Sequence, residues 1–315
     1  MDSLKKLAFE QLVNQNFDCL AIGVIDFKKS KSKCIELRKY PDFIEESIGP
    51  NLYFDLASVT KPLTMSLSYF LHEKLFTPEM KLLLNHEGGL PDWGLLSRKT
   101  WKDEILSYPI KKSKPVYSDY SALRLMLEFE EKTKKSMHKE CKKIWDKQLV
   151  FWKDLPEDAI CPPTGFRAGR EISGVVHDPN AFTINEFCSH AGLFSTIVGI
   201  CNTLLKFDSE LSLVKTMGKA MQERTSEQIF VNGWDTTTIS AHQRIQKNET
   251  SLAGKGCSLS TFGFLGFTGT SVWIDPESMR GHVILTNGTK NYWYSRTGLS
   301  LLRRTIGEYI WKMDF

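Results

Sequence analysis

Apolar side chains near the start of the chain recur at the spacings of a helix and of strands. Residues 2–15 repeat them every three or four positions, which predicts an amphipathic helix. The segments 19–27 (CLAIGVIDF) and 33–40 (KCIELRKY) favour two strands, joined by a turn rich in lysine and serine. The N-terminal part of the chain is therefore predicted to form a helix followed by a hairpin.

Strand character returns only near the other end. The segment 267–275 (FTGTSVWID) is rich in β-branched and aromatic residues and alternates in polarity, and 282–287 (HVILTN) follows after a turn. A final amphipathic helix is predicted over about 295–312. The long middle of the chain shows mostly helical spacing and proline-containing loops, with a charged helix predicted over 130–149.

This order of elements predicts an α+β fold. Strands from both chain ends should form one antiparallel sheet with flanking helices, and the middle should form an inserted, mostly helical subdomain. We expect residues 1–55 and 251–315 to make the α/β sheet subdomain and residues 56–250 the helical one. The cleft between the two is the expected place for a site.

Composition narrows the classes of partner. The chain has 315 residues, of which 41% are hydrophobic, enough to bury a substantial core. Its net charge of +4 is too small to indicate nucleic acid or an anionic membrane surface. The longest mostly apolar run, which starts at Ala191, is too short and too polar to span a membrane. A small molecule or a peptide is therefore the expected partner, and the oligomeric state is left open.

The cysteines favour a reducing compartment. Their number is odd and no C-x-x-C spacing occurs, so we expect free thiols rather than a disulfide framework or a zinc site. No apolar stretch of signal-peptide length is found at the start, which favours the cytoplasm, whereas a periplasmic location requires that a signal was removed. The seven cysteines are Cys19, Cys34, Cys141, Cys161, Cys188, Cys201 and Cys257.

A serine and a lysine three residues apart, Ser58 and Lys61, precede an apolar-periodic segment. At a helix start the two side chains share one face, so the amine can reach the hydroxyl. A serine becomes a nucleophile only when a base takes its proton, and a lysine acts as that base only if its pKa falls. The spacing alone is weak, because a capping serine beside a surface lysine gives the same pattern.

Four further segments follow this pair in a set order: 82–93 (LLLNHEGGLPDW), 117–133 (YSDYSALRLMLEFEEKT), 177–196 (HDPNAFTINEFCSHAGLFST) and 267–277 (FTGTSVWIDPE). Together with the serine–lysine pair they resemble the serine β-lactamase and penicillin-binding-protein superfamily, and within it the class C β-lactamase and esterase-like branch. The resemblance covers about residues 19 to 290.

The resemblance implies the roles of several residues. Ser58 would be acylated and Lys61 would assist proton transfer. The second motif of the family, Tyr-x-Asn or Tyr-Ser-Asp, would be Tyr117-Ser118-Asp119, with the tyrosine exchanging protons with the serine and Asp119 contacting substrate. The alternative register, Ser118-Asp119-Tyr120, corresponds to the Ser-Asp-Asn of the class A branch.

The third motif departs from the family. Where members have Lys-Thr-Gly or His-x-Gly, this chain has Phe264-Leu265-Gly266. Phe264 cannot hold a substrate carboxylate as a lysine or histidine does, but a backbone contribution is retained, because an oxyanion hole needs only N–H groups. By analogy these come from Ser58 and Phe267, and Gly266 lets the substrate backbone approach closely.

Other polar residues of these segments are interpreted as structural. The histidines His86, His177 and His190 are expected to be hydrogen-bonded in loops, and Asp178 and Asn180, beside a proline, to form turns. No metal and no organic cofactor is implied.

The sequence therefore predicts a serine hydrolase. It would form an acyl-enzyme on Ser58 with Lys61 and Tyr117, and act on an ester, a D-amino-acid peptide or muropeptide, or weakly on β-lactams. The alternative is a non-catalytic protein that binds muropeptides or another ligand, having kept the fold and lost the third motif.

Overall fold

The structure is a computed structural model that describes residues 1–237, 251–291 and 297–313. Short 3₁₀ and π turns around the predicted site cover Ala57–Val59, Pro62–Ser66 and Glu73–Leu75. The α-helices are α1 (Asp2–Val13), α2 (Leu67–His72), α3 (Pro78–Leu84), α4 (Trp101–Ser107), α5 (Asp119–Thr133), α6 (Met137–Lys142), α7 (Pro179–Ile184), α8 (Ile197–Leu211), α9 (Leu213–Glu223) and α10 (Thr297–Lys312).

One large antiparallel sheet has the strand order β3-β2-β1-β13-β12-β11-β10-β9. Two smaller sheets have the orders β4-β8-β5 and β6-β7. The strands are β1 (Cys19–Asp26), β2 (Lys31–Lys39), β3 (Ile44–Glu46), β4 (Phe54–Asp55), β5 (Leu149–Phe151), β6 (Phe166–Arg167), β7 (Arg170–Glu171), β8 (Leu193–Ser195), β9 (Phe230–Val231), β10 (Trp234–Thr236), β11 (Phe262–Leu265), β12 (Ser271–Asp275) and β13 (Arg280–Thr286).

The two ends of the chain build the large sheet together, as the α+β prediction requires. The N-terminal strand β1 pairs along its length with β2 on one side and with the late strand β13 on the other. Strand β12 pairs with β13, so it lies in the same sheet as β1. All eight residues of β1 are buried, because helices cover both faces of the sheet at this point.

The terminal helices α1 and α10 cover one face of the sheet. Leu4 and Leu12 of α1 and Leu302 and Ile306 of α10 pack in one cluster with alternate residues of β1 and are fully buried. Helix α8 covers the opposite face. A Cβ at Gly23 of β1 would lie 2.3 Å from the Sγ atom of Cys201 on α8, so the helix can approach this closely only because residue 23 has no side chain.

The middle of the chain supplies helices α2 to α9, the β6-β7 sheet, and strands β5 and β8, the latter of which pairs with β4 from the N-terminal part. It also contributes to the large sheet: β9 and β10, which fall within the segment predicted as helical, extend the sheet beyond β11. The division of the chain at residues 55/56 and 250/251 stays a prediction. Parts of both predicted units and the start of the predicted last helix lie outside the described residues. These parts are residues 238–250, 292–296 and 314–315.

Two elements differ from the sequence-based prediction. The strand predicted over 267–275 begins only at Ser271, because residues 266–270 form a hydrogen-bonded turn. The charged helix predicted over 130–149 is wrong as one element: α5 ends at Thr133, and Lys134 adopts a left-handed conformation with φ 54°. Ser136 then caps the separate helix α6.

None of the helices in the described part of the chain combines the length and the apolar composition that a bilayer span requires.

Candidate active site

Ser58 lies in a sharp turn that follows strand β4. The residue before it, Ala57, has φ 46°, a left-handed conformation that costs a residue with a side chain about 1 kcal/mol or more. The buried carboxylate of Asp55 stabilises the turn by accepting a 2.8 Å hydrogen bond from the Ala57 N–H. A 3₁₀ turn over Ala57–Val59 then begins the helical segment, and Ser58 remains partly exposed.

Lys61 lies one helical turn further on and is fully buried. Its Nζ atom donates to the Oγ atom of Ser58 at 3.1 Å. It also donates to the backbone carbonyl of His190 at 3.1 Å and forms an ion pair with Asp119 at 2.7 Å. The ammonium group is therefore surrounded by oxygen atoms from three separate segments of the chain.

Tyr117 reaches Ser58 from the loop that precedes α5, although 59 positions separate the two residues. Its hydroxyl donates to the Oγ atom of Ser58 at 2.6 Å. Ser118 is the N-cap of α5, since its Oγ accepts from the Ser121 N–H at 2.8 Å, and Tyr120 bonds to Glu104. Of the two registers left open by the sequence, the structure therefore places Tyr117 against Ser58.

The charge state of Lys61 depends on opposing effects on its pKa. Burial has the largest single effect and lowers the lysine pKa, but the charge of Asp119 and the contact with Tyr117 together outweigh it, so the net pKa is raised above its usual value. The condition under which Lys61 can act as a base, a lowered pKa, is therefore not met in this arrangement, in which Lys61 is an ammonium ion at neutral pH.

For Tyr117, burial itself raises the pKa to about 12, against the opposing effect of the nearby Lys61 charge. The tyrosine is therefore a neutral phenol in the resting site. The Lys61 Nζ lies 4.7 Å from the centroid of the Tyr117 ring, so the cation also faces the aromatic π-system. Ser58 consequently has two proton donors at its oxygen atom, and the site must lose a proton before either group can accept one from the serine.

Phe264 forms an apolar wall of this site, next to Tyr117. It lies in β11 with 2% of its surface exposed, and its ring centroid is 6.2 Å from that of Tyr117 and 6.4 Å from that of Phe230. The position at which the resemblance requires a cation is thus filled by a buried ring packed on the tyrosine.

The turn that follows β11 is hydrogen-bonded to the segment before Ser58. Thr268 Oγ1 donates to the carbonyl of Asp55 at 2.7 Å, and Thr270 Oγ1 donates to that of Leu56 at 2.8 Å. A Cβ at Gly266 would lie 2.5 Å from the same Leu56 carbonyl, so no side chain fits there. Phe267, in this turn, is 42% exposed. Its role in an oxyanion hole stays a prediction.

Two histidines interpreted as structural, His86 and His177, lie in loops and are hydrogen-bonded there. His86 accepts a hydrogen bond from the Ser118 N–H at 3.2 Å through Nδ1. His177 lies in a loop, where its backbone N–H donates to Asp55 at 2.7 Å. Asn180, which was expected to form a turn, lies instead in the first turn of helix α7. Its side chain bonds to the backbone of Gly94 and Leu96 and thereby fixes a neighbouring loop.

His190 is also a hydrogen-bonded loop residue, as expected, and its partner is Asp178, next to the predicted site. The His190 ring is fully buried, and its Nε2 atom lies 3.0 Å from Asp178 Oδ1, directly behind Asp119 and Lys61. Asp178 also caps α7 by accepting from the Ala181 N–H at 2.7 Å. Nothing in the sequence spacing indicates this second pair, because its two residues meet Lys61 only through the packing of three segments.

Asp119, Asp178 and His190 are the one group of potential metal ligands found among the described residues, with ligand atoms within 4.8 Å of one another. The Lys61 ammonium already lies against Asp119 and supplies a positive charge to this cluster. A metal ion would have to displace that ammonium or tolerate its repulsion, so the residues do not fit a metal site.

Comparison with solved structures shows that the fold of the chain is a known architecture. A class C β-lactamase from Rhodobacter sphaeroides aligns with a TM-score of 0.65 at 15% identity, over 98% of this chain and 99% of that chain. A β-lactamase from Mycobacterium bovis aligns with a TM-score of 0.52 at 17% identity, over 96% and 97%. SurE with D-Leu aligns with a TM-score of 0.60 at 15% identity, over 91% of this chain and 71% of that chain.

No protein-family model and no curated protein matches the sequence. The structural likeness extends over nearly the whole chain, but at this identity it establishes architecture and not activity. The chain therefore has the same α+β fold as these two β-lactamase structures.

Proposed function

We propose that the protein is a serine hydrolase that forms an acyl-enzyme on Ser58. The observation that carries the proposal is the convergence of two proton-carrying groups on one hydroxyl: Tyr117 at 2.6 Å and Lys61 at 3.1 Å from the Ser58 oxygen. A capping serine beside a surface lysine does not explain a fully buried ammonium, nor a tyrosine that bonds to this serine from a distant segment. Nucleophilic catalysis requires this geometry.

The reaction begins from the form of the site that has lost one proton. Tyr117 or Lys61, once deprotonated, takes the proton of the Ser58 hydroxyl while the serine oxygen bonds to the substrate carbonyl carbon. Collapse of the tetrahedral intermediate breaks the bond to the leaving group, which receives that proton. Water then attacks the carbonyl carbon of the acyl-enzyme and gives a proton to the same base. The bond between the acyl carbon and the Ser58 oxygen breaks, the oxygen takes that proton back, and the carboxylic acid is released.

The buried Phe264 favours a substrate that has no carboxylate near the reacting carbonyl. A cation at this position would attract such a carboxylate, whereas a phenyl ring offers neither charge nor a hydrogen bond. A neutral ester is therefore the preferred substrate and β-lactams are weak ones. A D-amino-acid peptide or muropeptide stays among the candidates, supported by the likeness to SurE, whose structure contains D-Leu.

The test is hydrolysis of short-chain p-nitrophenyl esters by the parent protein, by Ser58→Ala and by a surface control, Ser107→Ala. The Ser58 variant removes one oxygen from a partly exposed site, so it should fold normally. The proposal expects turnover in the parent and the control, and none in Ser58→Ala. Turnover that survives in Ser58→Ala, with intact folding, would assign the activity to another group.

A second candidate is a non-catalytic ligand-binding protein of the same fold. It is favoured by the ion pair that keeps the proton on Lys61 and by the missing cation at Phe264. This candidate expects no ester turnover and no covalent labelling of Ser58 at any pH, together with measurable binding of a muropeptide in calorimetry.

A further inference from the structure

We infer that Cys34 and Cys201 form a redox-active thiol pair: a hydroperoxide oxidises the sulfur of Cys34, and Cys201 then joins it in a reversible disulfide. Cys34 lies in strand β2 and Cys201 in helix α8, and both thiols are free in the structure. The chemistry of this pair is independent of the proposed hydrolase function.

The register of the large sheet brings the two cysteines together. Gly23 of β1 lies directly opposite Cys34 of β2. Opposite residues of an antiparallel pair point to the same face, with Cβ atoms about 4.5–5.5 Å apart. A Cβ at Gly23 would lie 2.3 Å from the Sγ atom of Cys201 and 3.2 Å from the side chain of Ile197, so this is the face that α8 covers. The Cys201 sulfur therefore fills the space of the missing side chain, beside Cys34.

The two thiols are in direct contact. The Cys201 S–H donates a hydrogen bond to the Cys34 sulfur, which lowers the pKa of the Cys34 thiol against the opposing effect of burial. The same bond, together with burial, raises the pKa of the Cys201 thiol well above its usual value. Because the thiolate is the nucleophile, Cys34 is the more reactive member of the pair.

Solvent access distinguishes the two cysteines in the same sense. Cys34 is partly exposed, whereas Cys201 is fully buried. A small oxidant in water therefore meets Cys34 first and reaches Cys201 only through it. An accessible, readily ionised thiol beside a second thiol is the arrangement that favours a reversible disulfide over further oxidation.

The reaction is balanced by the hydroperoxide alone. The Cys34 thiolate attacks one oxygen of the O–O bond, which breaks, and the leaving oxygen takes up the proton that Cys34 has lost. Cys34 is now a sulfenic acid. The Cys201 sulfur then attacks the Cys34 sulfur, the S–O bond breaks, and the leaving hydroxide departs as water with the Cys201 proton. Both thiols are oxidised, the hydroperoxide is reduced to an alcohol or water, and a thiol reductant restores the pair.

The first experiment oxidises the folded parent with hydrogen peroxide, alkylates the remaining thiols and maps the peptides by mass. The product should be about 2 Da lighter than the reduced chain and should contain the Cys34–Cys201 disulfide, which dithiothreitol removes. The same treatment in denaturing urea should lose the preference for this pair, because only the fold brings the two sulfurs together. Absence of this disulfide from the folded protein, or an equal yield in urea, would overturn the inference.

Cys201→Ala tests the role of the second thiol. Without it, Cys34 should pass beyond the sulfenic acid to the sulfinic acid, a gain of about 32 Da that dithiothreitol does not reverse. Dimedone, added with the peroxide, should trap the sulfenic acid on Cys34. Circular dichroism before oxidation checks the fold. Cys34→Ser, at a partly exposed position, is the complementary variant and should leave Cys201 reduced. Reversible protection of Cys34 in Cys201→Ala, or oxidation of Cys201 in Cys34→Ser, would contradict the assigned roles.

Cys257 provides the matched control. It is also partly exposed, but its Sγ donates to the carbonyl of Gly254 at 3.4 Å, and burial raises its pKa. In the parent, Cys257 should be oxidised about tenfold more slowly than Cys34, or less. Cys257→Ala should form the Cys34–Cys201 disulfide at the parent rate. Oxidation of Cys257 as fast as Cys34 would show that the contact between the two thiols gives Cys34 no special reactivity.

Discussion

At the scale of single residues, Asp119 determines the chemistry of the site. The resemblance implies an asparagine or an aspartate at this position, and only the aspartate adds a negative charge beside Lys61. That charge, with the contact to Tyr117, reverses the lowering of the Lys61 pKa that burial would cause. The buried lysine, whose environment would otherwise favour a free amine, is thus kept as an ammonium ion at neutral pH.

Reactivity should therefore rise with pH. The reactive form has lost a proton from Lys61 or Tyr117, and both pKa values are raised, that of Tyr117 to about 12. The rate of Ser58 labelling by a fluorophosphonate should increase steadily from pH 7 to pH 10. Asp119→Asn should move this rise to lower pH and speed labelling at pH 7, by about tenfold for each unit by which the lysine pKa falls.

A small probe is used because Asp119 is also predicted to contact substrate. If Ser58 is labelled more slowly in Asp119→Asn than in the parent at every pH, and the shape of the rate against pH is unchanged, Asp119 acts by orienting Lys61 rather than by holding its proton.

Phe264 should determine the preference between neutral and carboxylate-bearing substrates. A missing charge-assisted hydrogen bond is worth roughly 1.5–3 kcal/mol, or about one to two decades of affinity. The parent should therefore hydrolyse p-nitrophenyl esters far better than nitrocefin, and Phe264→His should shift this ratio towards nitrocefin.

Phe264→Leu is the control, since it changes the size of this buried side chain without adding a polar group. Efficient nitrocefin hydrolysis by the parent would show that the third motif lies elsewhere or that its side chain matters little.

At the scale of elements, the turn over residues 266–270 joins the large sheet to the nucleophile. It follows β11, and its two threonine hydroxyls bond to the carbonyls of Asp55 and Leu56, just before Ser58. Arg303 of α10 donates to the Thr270 carbonyl at 2.7 Å from the other side. A helix from the end of the chain therefore supports the turn that contains Phe267.

Gly266→Ala should disturb this junction. The new Cβ would lie 1.9 Å from Thr270 Oγ1 and 2.5 Å from the Leu56 carbonyl, and the backbone atom cannot move aside cheaply. We expect a loss of about 1–3 kcal/mol in the free energy of unfolding by urea, together with slower Ser58 labelling.

Gly298→Ala provides the comparison. Its Cβ meets only the flexible end of Gln15, at 2.8 Å, so its effect on stability and on labelling should be small. Equal effects of the two substitutions would show that the contact of Gly266 with Leu56 has no special importance.

Sequence reasoning located the elements whose side chains alternate or repeat over a long stretch. Helix α1 and strands β1, β2 and β13 lie close to their predicted bounds, because apolar spacing reflects a buried face directly. Strands β9 and β10 were missed, since two or three residues are too few to show a period. The break at Lys134 was missed because a lysine gives no signal for a left-handed conformation.

At the scale of the whole molecule, the buried carboxylate of Asp55 links separate parts of the fold. It accepts hydrogen bonds from the Ala57 N–H at 2.8 Å and from the His177 N–H at 2.7 Å, so it connects the nucleophile turn to the loop before α7. Burial nevertheless raises its pKa to about 6, which means that the ionised form is disfavoured in the folded protein.

Stability should therefore fall as pH rises through this range. The Asp55 contribution is fully present below the unfolded-state value of about 3.9 and is lost as pH passes the folded value of about 6. Its loss amounts to about 3 kcal/mol. Urea unfolding at pH 4.5 and pH 7 should show the parent losing stability relative to Asp55→Asn, and an identical pH dependence in the two proteins would contradict this assignment.

The site itself was only partly predictable. The spacing of Ser58 and Lys61 suggests that they meet, whereas the contact of Tyr117 with Ser58 rests on the resemblance and not on any local pattern. The second pair, Asp178 and His190, and the ion pair that fixes the Lys61 proton depend on three-dimensional packing. Charges that meet across such distances in sequence leave no periodic trace along the chain.

The most direct test of acylation at Ser58 is the mass of the intact protein after incubation with a panel of neutral acyl donors, quenched at short times, in the parent and in Ser58→Ala. We expect an adduct of the acyl mass in the parent, located by peptide mapping to the segment that contains Ser58, and no adduct in the variant. An absence of any adduct from the folded parent up to pH 10, or an adduct that persists in Ser58→Ala, would contradict it.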